Sequence, residues 1–273
     1  CEAAVPTDMF ISTYVGTGTG SSTGDNGPAS AATIYNPRQT WMDSAAQFLY
    51  VAEYYGHRVR RVDLATNIIT TFAGTGSAGS AGDDGQATAA TLNQPVGVYG
   101  DSAGHVYISE YNGHRVREVN IGSGIITNYA GTGIAGFSGD GSAATSAQLN
   151  YPRYLAGDSA GNLFIADRDN HRVRKVSASR IITTFAGTGT PSSVDNAAAT
   201  SGTLNRPWGL FLHPATNDLY ITEYAGHKVR KVVSSTGALS TVAGTGIASS
   251  VTTAANGDGG AATSATLQNP HGV

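Results

Sequence analysis

One heptapeptide occurs in four versions along this chain: GHRVRRV from Gly56, GHRVREV from Gly113, NHRVRKV from Asn170 and GHKVRKV from Gly226, a step of about 57 residues. A second marker keeps the same step, as VGTG at Val15 and AGTG at Ala73, Ala130, Ala186 and Ala243. Two markers in phase describe copies of one supersecondary unit, each too small to bury its own apolar face and stable only against its neighbours.

The third copy shows what the unit is. NYPRYLAGD opens a strand that Pro152 can only begin, because proline brings no amide to a ladder. SAGN is a turn, and LFIAD is a short strand rich in β-branched and aromatic residues. RDN is another turn, HRVRKV a third strand and IITTFAGTG a fourth. A Gly-rich loop, TGIAGFSGDGSAATSAQLN in its best-kept form, leads to the next proline. No long apolar pattern of helical period occurs, which excludes a helical solenoid. Four short strands per unit, repeated at fixed spacing, predict an all-β β-propeller with four-stranded blades. The complete blades fall at about 36–76, 94–133, 151–189 and 206–246, with partial strands at 9–18 and 268–273.

The string AGTG…GDG…A…L-x-x-P…GNLFIADxxNHRVRKV resembles the NHL repeat, in the long-loop form common in secreted and bacterial proteins. The resemblance covers nearly the whole chain and implies propeller blades. Its implication for activity is weaker, since propellers host unrelated functions. Some relatives of NHL propellers are peptide-amidating lyases that hold a metal in the central channel with histidines of the inner strands. The inner strands here, RQTWMD, VGVYGD, RYLAGD and WGLFLH, carry no repeated or clustered histidine, so the lyase residues do not carry over.

The repeated polar residues read as architecture. His57, His114, His171 and His227 occupy one place in each unit, so they lie at separated points around a ring and cannot converge on one metal. The acid four positions earlier, Glu53, Glu110, Asp167 or Glu223, is expected to pair with that histidine or with the arginines of the third strand. Those strand cations are Arg58 and Arg60, Arg115 and Arg117, Arg172 and Arg174, and Lys228 and Arg230. A buried arginine needs such a partner, and these are expected to tie blade to blade. Neither a Gly-x-Ser-x-Gly elbow nor a phosphate-binding Gly-Lys-Ser/Thr loop nor a Cys/His nucleophile pair is present. Asp25, Asp83, Asp140 and Asp258 stand in GDNG, GDDG and GDG strings; they are calcium candidates, and equally the Asp-Gly of ordinary turns. No other cofactor is expected.

Composition narrows the class. At 40% hydrophobic and 13% charged residues, the chain has the makings of a core and little of a disordered tract. A formal net charge of -3 argues against a nucleic-acid partner, which calls for a concentrated basic surplus. No stretch of about eighteen apolar residues offers a transmembrane segment. The single cysteine, Cys1, leaves no internal disulfide framework, and there is no Asn-x-Ser/Thr acceptor, although O-linked glycan on Ser/Thr stays open. Low charge with abundant Gly, Ser, Thr and Ala fits an extracellular or cell-surface protein.

Both partial units are expected to matter. MFISTYVGTG reads as a lone outer strand carrying Met9, Phe10, Ile11 and Tyr14, and NPHGV as the start of an inner strand carrying Pro270, His271 and Val273. Four blades and two half-strands are not a standard closed ring. Either more polypeptide completes it, or an abbreviated blade closes it, or a neighbouring copy adds its strand, which repeated head to tail gives an oligomer or fibre. The expectation is a non-enzymatic extracellular structural or interaction module with protein partners, copies of itself included. The alternatives are a metal-dependent lyase-like propeller and a ligand-binding segment of a longer secreted protein.

Overall fold

The computed structural model describes residues 11–248 and 256–273. Blade 1 contains β1 (Gly27–Pro28), β2 (Pro37–Met42), β3 (Phe48–Glu53), β4 (Arg58–Asp63) and β5 (Ile68–Ala73). Blade 2 contains β6 (Gly85–Gln86), β7 (Pro95–Gly100), β8 (His105–Glu110), β9 (Arg115–Asn120) and β10 (Ile125–Ala130). Blade 3 contains β11 (Ser142–Ala143), β12 (Pro152–Gly157), β13 (Leu163–Asp167), β14 (Arg172–Val176) and β15 (Ile181–Ala186). Blade 4 contains β16 (Pro207–Leu212), β17 (Leu219–Glu223), β18 (Lys228–Val232) and β19 (Leu239–Ala243). Each blade is an antiparallel meander, and the four sheets are arranged as the blades of a propeller. The inner strands β2, β7, β12 and β16 follow one another around the channel.

The Gly-rich loop is more than a connection. It supplies the two-residue outermost strand of the blade it is about to enter: Gly27 and Pro28 pair with Ile69 and Ile68, Gly85 and Gln86 with Ile126 and Ile125, Ser142 and Ala143 with Ile182 and Ile181. In blade 4 this shrinks to a single bridge between Asn196 and Leu239. The loop then makes a short 3-10 turn, such as Ala87–Ala89, and sends Ala90 and Leu92 into the core. Burying a leucine completely stabilises by about 1.5–3 kcal/mol, enough to fix a loop that ordinary turn residues would leave loose.

The core lies between blades. Tyr50, Val59 and Ala73 of blade 1 pack with Leu92, Val98, Ile108 and Ile126 of blade 2. Equivalent clusters join blades 2 and 3 around Leu149 and Ile165, and blades 3 and 4 around Leu204 and Ile221. Each inner strand also carries a register shift just after its proline, between Pro37 and Thr40, Pro95 and Gly97, Pro152 and Leu155, and Pro207 and Leu210. Such a bulge turns the residues it contains away from the plain alternation of the strand.

The two partial strands do not form among the described residues. No strand runs over Ile11 to Val15; Ile11 and Tyr14 are exposed, and Gly16 is tied by its N–H to the Ala29 carbonyl. Pro270 to Val273 is likewise outside any strand, with Val273 exposed. Met9 and Phe10 lie outside the described residues.

Candidate functional site

The repeated charges form one motif per blade. Arg60, Arg117, Arg174 and Arg230 are fully buried, and each lies between two carboxylates. One is the acid at the end of the second strand: Glu53 at 3.3 Å, Glu110 at 3.1 Å, Asp167 at 3.4 Å and Glu223 at 2.8 Å. The other comes from the entering loop: Asp25, Asp83 and Asp140 at 2.7 Å, and Asp195 at 2.6 Å. The acids therefore choose the arginines over the histidines, and the arginine holds the entering loop onto its own blade. Arg58, Arg172 and Lys228 bind loop carbonyls instead, of Ser22 and Thr75, of Thr188 and of Ser193, and Arg115 reaches Thr132.

Ties between blades run through the histidines. Nδ1 of His57 accepts the backbone N–H of Gln94 at 3.2 Å, and His171 accepts that of Arg206 at the same distance. His227 does the same for Asn269 at 3.1 Å. The outlying histidines serve turns, His105 against Asp101 and His213 against Thr216.

Three of the four calcium candidates have their oxygens engaged. Asp25 also accepts Thr71 Oγ1, and Asp140 accepts Thr184 Oγ1, both at 2.6 Å. Asp258 makes no ion pair among the described residues. Asp195 was not legible as a member of this set, because its loop lacks the flanking glycines. Among the described residues no three His, Cys, Asp or Glu side chains meet in a cluster that could hold a metal ion.

The least repetitive chemistry gathers where the inner strands begin. The residue after each opening proline is not fixed by the repeat: it is Arg38 and Arg153 in two units and Val96, Trp208 and His271 in the others. The residue after each second-strand acid is Tyr54, Tyr111, Arg168 or Tyr224. The bulges bring these two sets together at one end of the channel. The Arg153 guanidinium lies 4.1 Å from the Tyr111 ring centroid and 3.6 Å from that of Trp208. Trp208 stacks on Tyr224 at 4.7 Å, and the exposed His271 ring rests on Trp208 at 4.5 Å. Arg38 sits over Tyr54 at 5.0 Å, and Arg168 lies 5.5 Å from Trp208.

Charge is unbalanced here. Arg153 is only 5% exposed, it has no ion pair among the described residues, and its Nε and Nη1 reach no acceptor. Burial pushes its guanidinium down to about 10, helped by Arg168 and Arg38. The acid nearby, Asp169, is engaged by Arg168 at 2.9 Å and Arg206 at 3.3 Å. Two ring faces contribute about 2 kcal/mol each to a desolvated cation, which offsets part of its desolvation but fills none of its hydrogen bonds. Arg153 is placed through its backbone: its carbonyl accepts Ser109 Oγ, whose oxygen also accepts the Gly97 N–H. A Cβ on Gly97 would come within 2.6 Å of that carbonyl, so only glycine allows blade 3 to approach so closely. His271 is seated on blade 4 by the same device, Thr222 Oγ1 donating to its carbonyl and accepting the Gly209 N–H.

The opposite end of the channel holds a cavity of about 340 Å3 bordered by all four blades, with Trp41, Tyr99, Asp101, Asp158 and Leu212 in its wall. Both carboxylates there bind turn amides, those of Ala103 and His105, and of Ala160 and Asn162. Between the two ends Gln39 crosses the channel, donating to the Leu155 carbonyl and accepting the N–H groups of Val98 and Leu155.

Residues 135–247 match the family model of the Teneurin NHL domain. Over 133 residues, 46% of this chain, it is 32% identical to the Arabidopsis thaliana protein SUPPRESSOR OF QUENCHING 1, chloroplastic. Over 91 residues, 33% of this chain, it is 30% identical to human NHL repeat-containing protein 2. The chain spans 12% of the length of each of these two relatives. Among solved structures, an auxiliary nutrient binding protein from Bacteroides thetaiotaomicron superposes with a TM-score of 0.61 at 15% identity, over 92% of this chain and 59% of that one. No helix of the described residues is long and apolar enough to cross a membrane. Repeat and blades agree on a β-propeller, and its blades are similar in sequence to those of NHL-repeat proteins.

Proposed function

We propose that this chain is a non-enzymatic interaction module of extracellular or cell-surface proteins, and that it recognises its ligand at the end of the channel where Arg38, Arg153, Arg168 and Trp208 meet. One observation carries the proposal. The fully buried arginines are each paired with two carboxylates, whereas Arg153, nearly as buried, has none among the described residues. Unpaired buried charge is costly to the fold, and binding sites are where such a cost is retained. The site also sits at the positions in which one repeat departs from the next, so it is unique on the molecule.

A thermal-shift survey of peptides and small molecules tests this, run on the unaltered chain and on R38Q/R168Q. Both arginines are partly exposed, so the substitutions leave the core in place. Stabilising ligands are expected to lose their shift in the double variant. If every one keeps it, recognition happens elsewhere. The enzymatic alternative, a metal-dependent lyase, predicts tightly bound metal by elemental analysis and turnover abolished by chelation.

A second reading, association of copies through the flank of blade 4, is favoured by how blade 4 seats residues 269–271. It uses the histidine tie and hydroxyl bridge by which blade 2 seats blade 3, so that flank is built for a blade-like neighbour. Light scattering decides it: a monodisperse monomer near 28 kDa across the micromolar range removes head-to-tail assembly.

A further inference from the structure

Arg153 differs from an ordinary stacked arginine in what its surroundings leave available. The Tyr111 and Trp208 ring centroids lie 4.1 and 3.6 Å from its Cζ, so rings rather than acceptors occupy much of the space over the guanidinium. At its edge Nε and Nη1 are without acceptors among the described residues. Asp169 cannot turn to it without leaving Arg168 and Arg206. The Nε atoms of Arg38 and Arg168, the two cations beside Arg153, are likewise buried without an acceptor among the described residues, while the Trp208 indole is shared with Tyr154. What sets Arg153 apart is that, among the described residues, two of its nitrogens lack acceptors and no carboxylate reaches it, whereas Arg60, Arg117, Arg174 and Arg230 are each held by two carboxylates.

Resting on the recognition site proposed above, we infer that the plane of Arg153 is a carboxylate subsite, and that the surrounding rings take the planar or apolar body to which that carboxylate is attached. A carboxylate is planar and fits a guanidinium edge with two oxygens, which a neutral amide cannot match. A polyanion fits less well: the chain carries a net charge of -3, and the cluster is one focus of three arginines rather than a stripe. Tyr54, Tyr111, Trp208 and Tyr224 supply ring faces around the subsite, the surface expected for a ligand with an aromatic or aliphatic portion. The exposed His271 ring, lying on Trp208 and Tyr224, is the side chain a ligand would displace on entry.

Two sources share this chemistry, a free organic acid and the carboxylate of a protein segment, and the ligand series separates them. Isothermal titration calorimetry on the full, unaltered chain would compare N-acetylphenylalanine with its amide, an acetylated tetrapeptide ending in Phe with its C-terminal amide, and an amidated peptide with one internal Glu. Each carboxylate form is expected to bind at least tenfold more tightly than its amide. Equal affinity of free acid and peptide assigns the site to small acids, and a tenfold gain for either peptide assigns it to a protein segment; both uphold the subsite. The fluorescence of Trp208, isolated by W41F, is expected to saturate in step with the heat, and R153M to lose the preference for acid over amide. The ligand comparison needs no substitution and so stands even if R153M does not fold. Acid and amide binding equally at this site would overturn the carboxylate subsite and leave the recognition site intact. A Trp208 signal blind to every ligand would overturn both. Tighter binding of a single-stranded oligonucleotide than of any carboxylate would overturn the subsite in favour of nucleic acid.

Discussion

Nδ1 of His114, in blade 2, accepts the backbone N–H of Tyr151, the residue that opens blade 3, at 3.2 Å. Both residues have left-handed backbone, with φ of 50° and 53°. Burial lowers the pKa of His57, His114 and His171, which keeps the ring neutral and its Nδ1 free to accept. A histidine that looks like a ligand on paper is thus the joint between consecutive blades, and the neutral form is the one that works.

The first prediction concerns this joint. In H114A the Tyr151 amide loses its acceptor, and alanine is strained at positive φ; together these should cost about 2–3 kcal/mol. Asparagine tolerates the left-handed region and offers a carbonyl oxygen, so H114N should lose less than half as much. Urea unfolding with unchanged m-value measures both. Equal losses for the two variants would mean that neither acceptor nor backbone preference matters here.

A second prediction comes from the blade that breaks the pattern. In blades 1, 2 and 4 a serine of the entering loop, Ser22, Ser80 or Ser193, donates to the second-strand glutamate. Gly56, Gly113 and Gly226 make room, since a Cβ on Gly113 would fall 2.5 Å from Glu110 Oε2. Blade 3 has Phe137, Asp167 and Asn170 at those three places, and the Asn170 amide fills the serine's role at 2.8 Å. The shorter aspartate clears the space that the longer asparagine occupies. G113N alone should therefore destabilise by about 2–3 kcal/mol through overpacking. S80F/E110D/G113N, which copies blade 3, should recover most of that loss. Additive effects across the three sites would show that they do not act as a unit.

The repeat made the blades legible, because positions shared by every copy, such as His57 and Arg60, announce themselves. Partners separated by a loop were not legible. Asp25 reaches Arg60 across 35 residues, and nothing in a GDNG string distinguishes a counterion from a turn. Asp195 lost its glycines and kept its function. The ends were harder to read: MFISTYVGTG resembles the outer strand IITTFAGTG, but among the described residues no strand runs over Ile11 to Val15, and likeness to a strand says nothing of whether a partner backbone lies beside it. The arginine–aromatic cluster was hidden for the opposite reason. Arg153 and Trp208 occupy one place in two different units, and comparison of repeats discards whatever does not recur.

A third prediction separates the two carboxylates on each arginine. R174M would leave Asp167 fully buried with no cation, and breaking such a pair should cost about 3–5 kcal/mol. D140N acts on a residue 38% exposed, where screening is strong, and should cost about 1 kcal/mol or less. Since Arg174 and Thr184 already hold Asp140, millimolar calcium should raise the melting temperature no more than magnesium at equal ionic strength. A calcium-specific rise of several degrees would return these loops to cation binding.

The fourth prediction is a pH dependence with two opposed arms. Burial pushes the Glu223 carboxyl up to about 7 and that of Asp167 to about 6, despite Arg230 and Arg174, and raises Glu53 and Glu110 as well. An acid whose pKa is higher in the folded state binds more protons there than when unfolded. Its contribution to stability is therefore fully present below the unfolded value and lost as pH rises through the folded one. The unfolding free energy should fall between about pH 5 and pH 7.5, by up to about 3 kcal/mol for Glu223. The histidines act in the other direction. With folded pKa values below the usual 6.5, they should reduce stability as pH drops under that value. Urea midpoints measured from pH 4.5 to 8.5 resolve the two arms through variants. E223Q should flatten the fall toward neutral pH, since glutamine does not titrate, and H114N should soften the loss on the acid side. A native-chain profile that only rises from pH 5 to 7.5, unchanged in E223Q, would show that the buried carboxyls titrate at ordinary values and that the arginines dominate their environment.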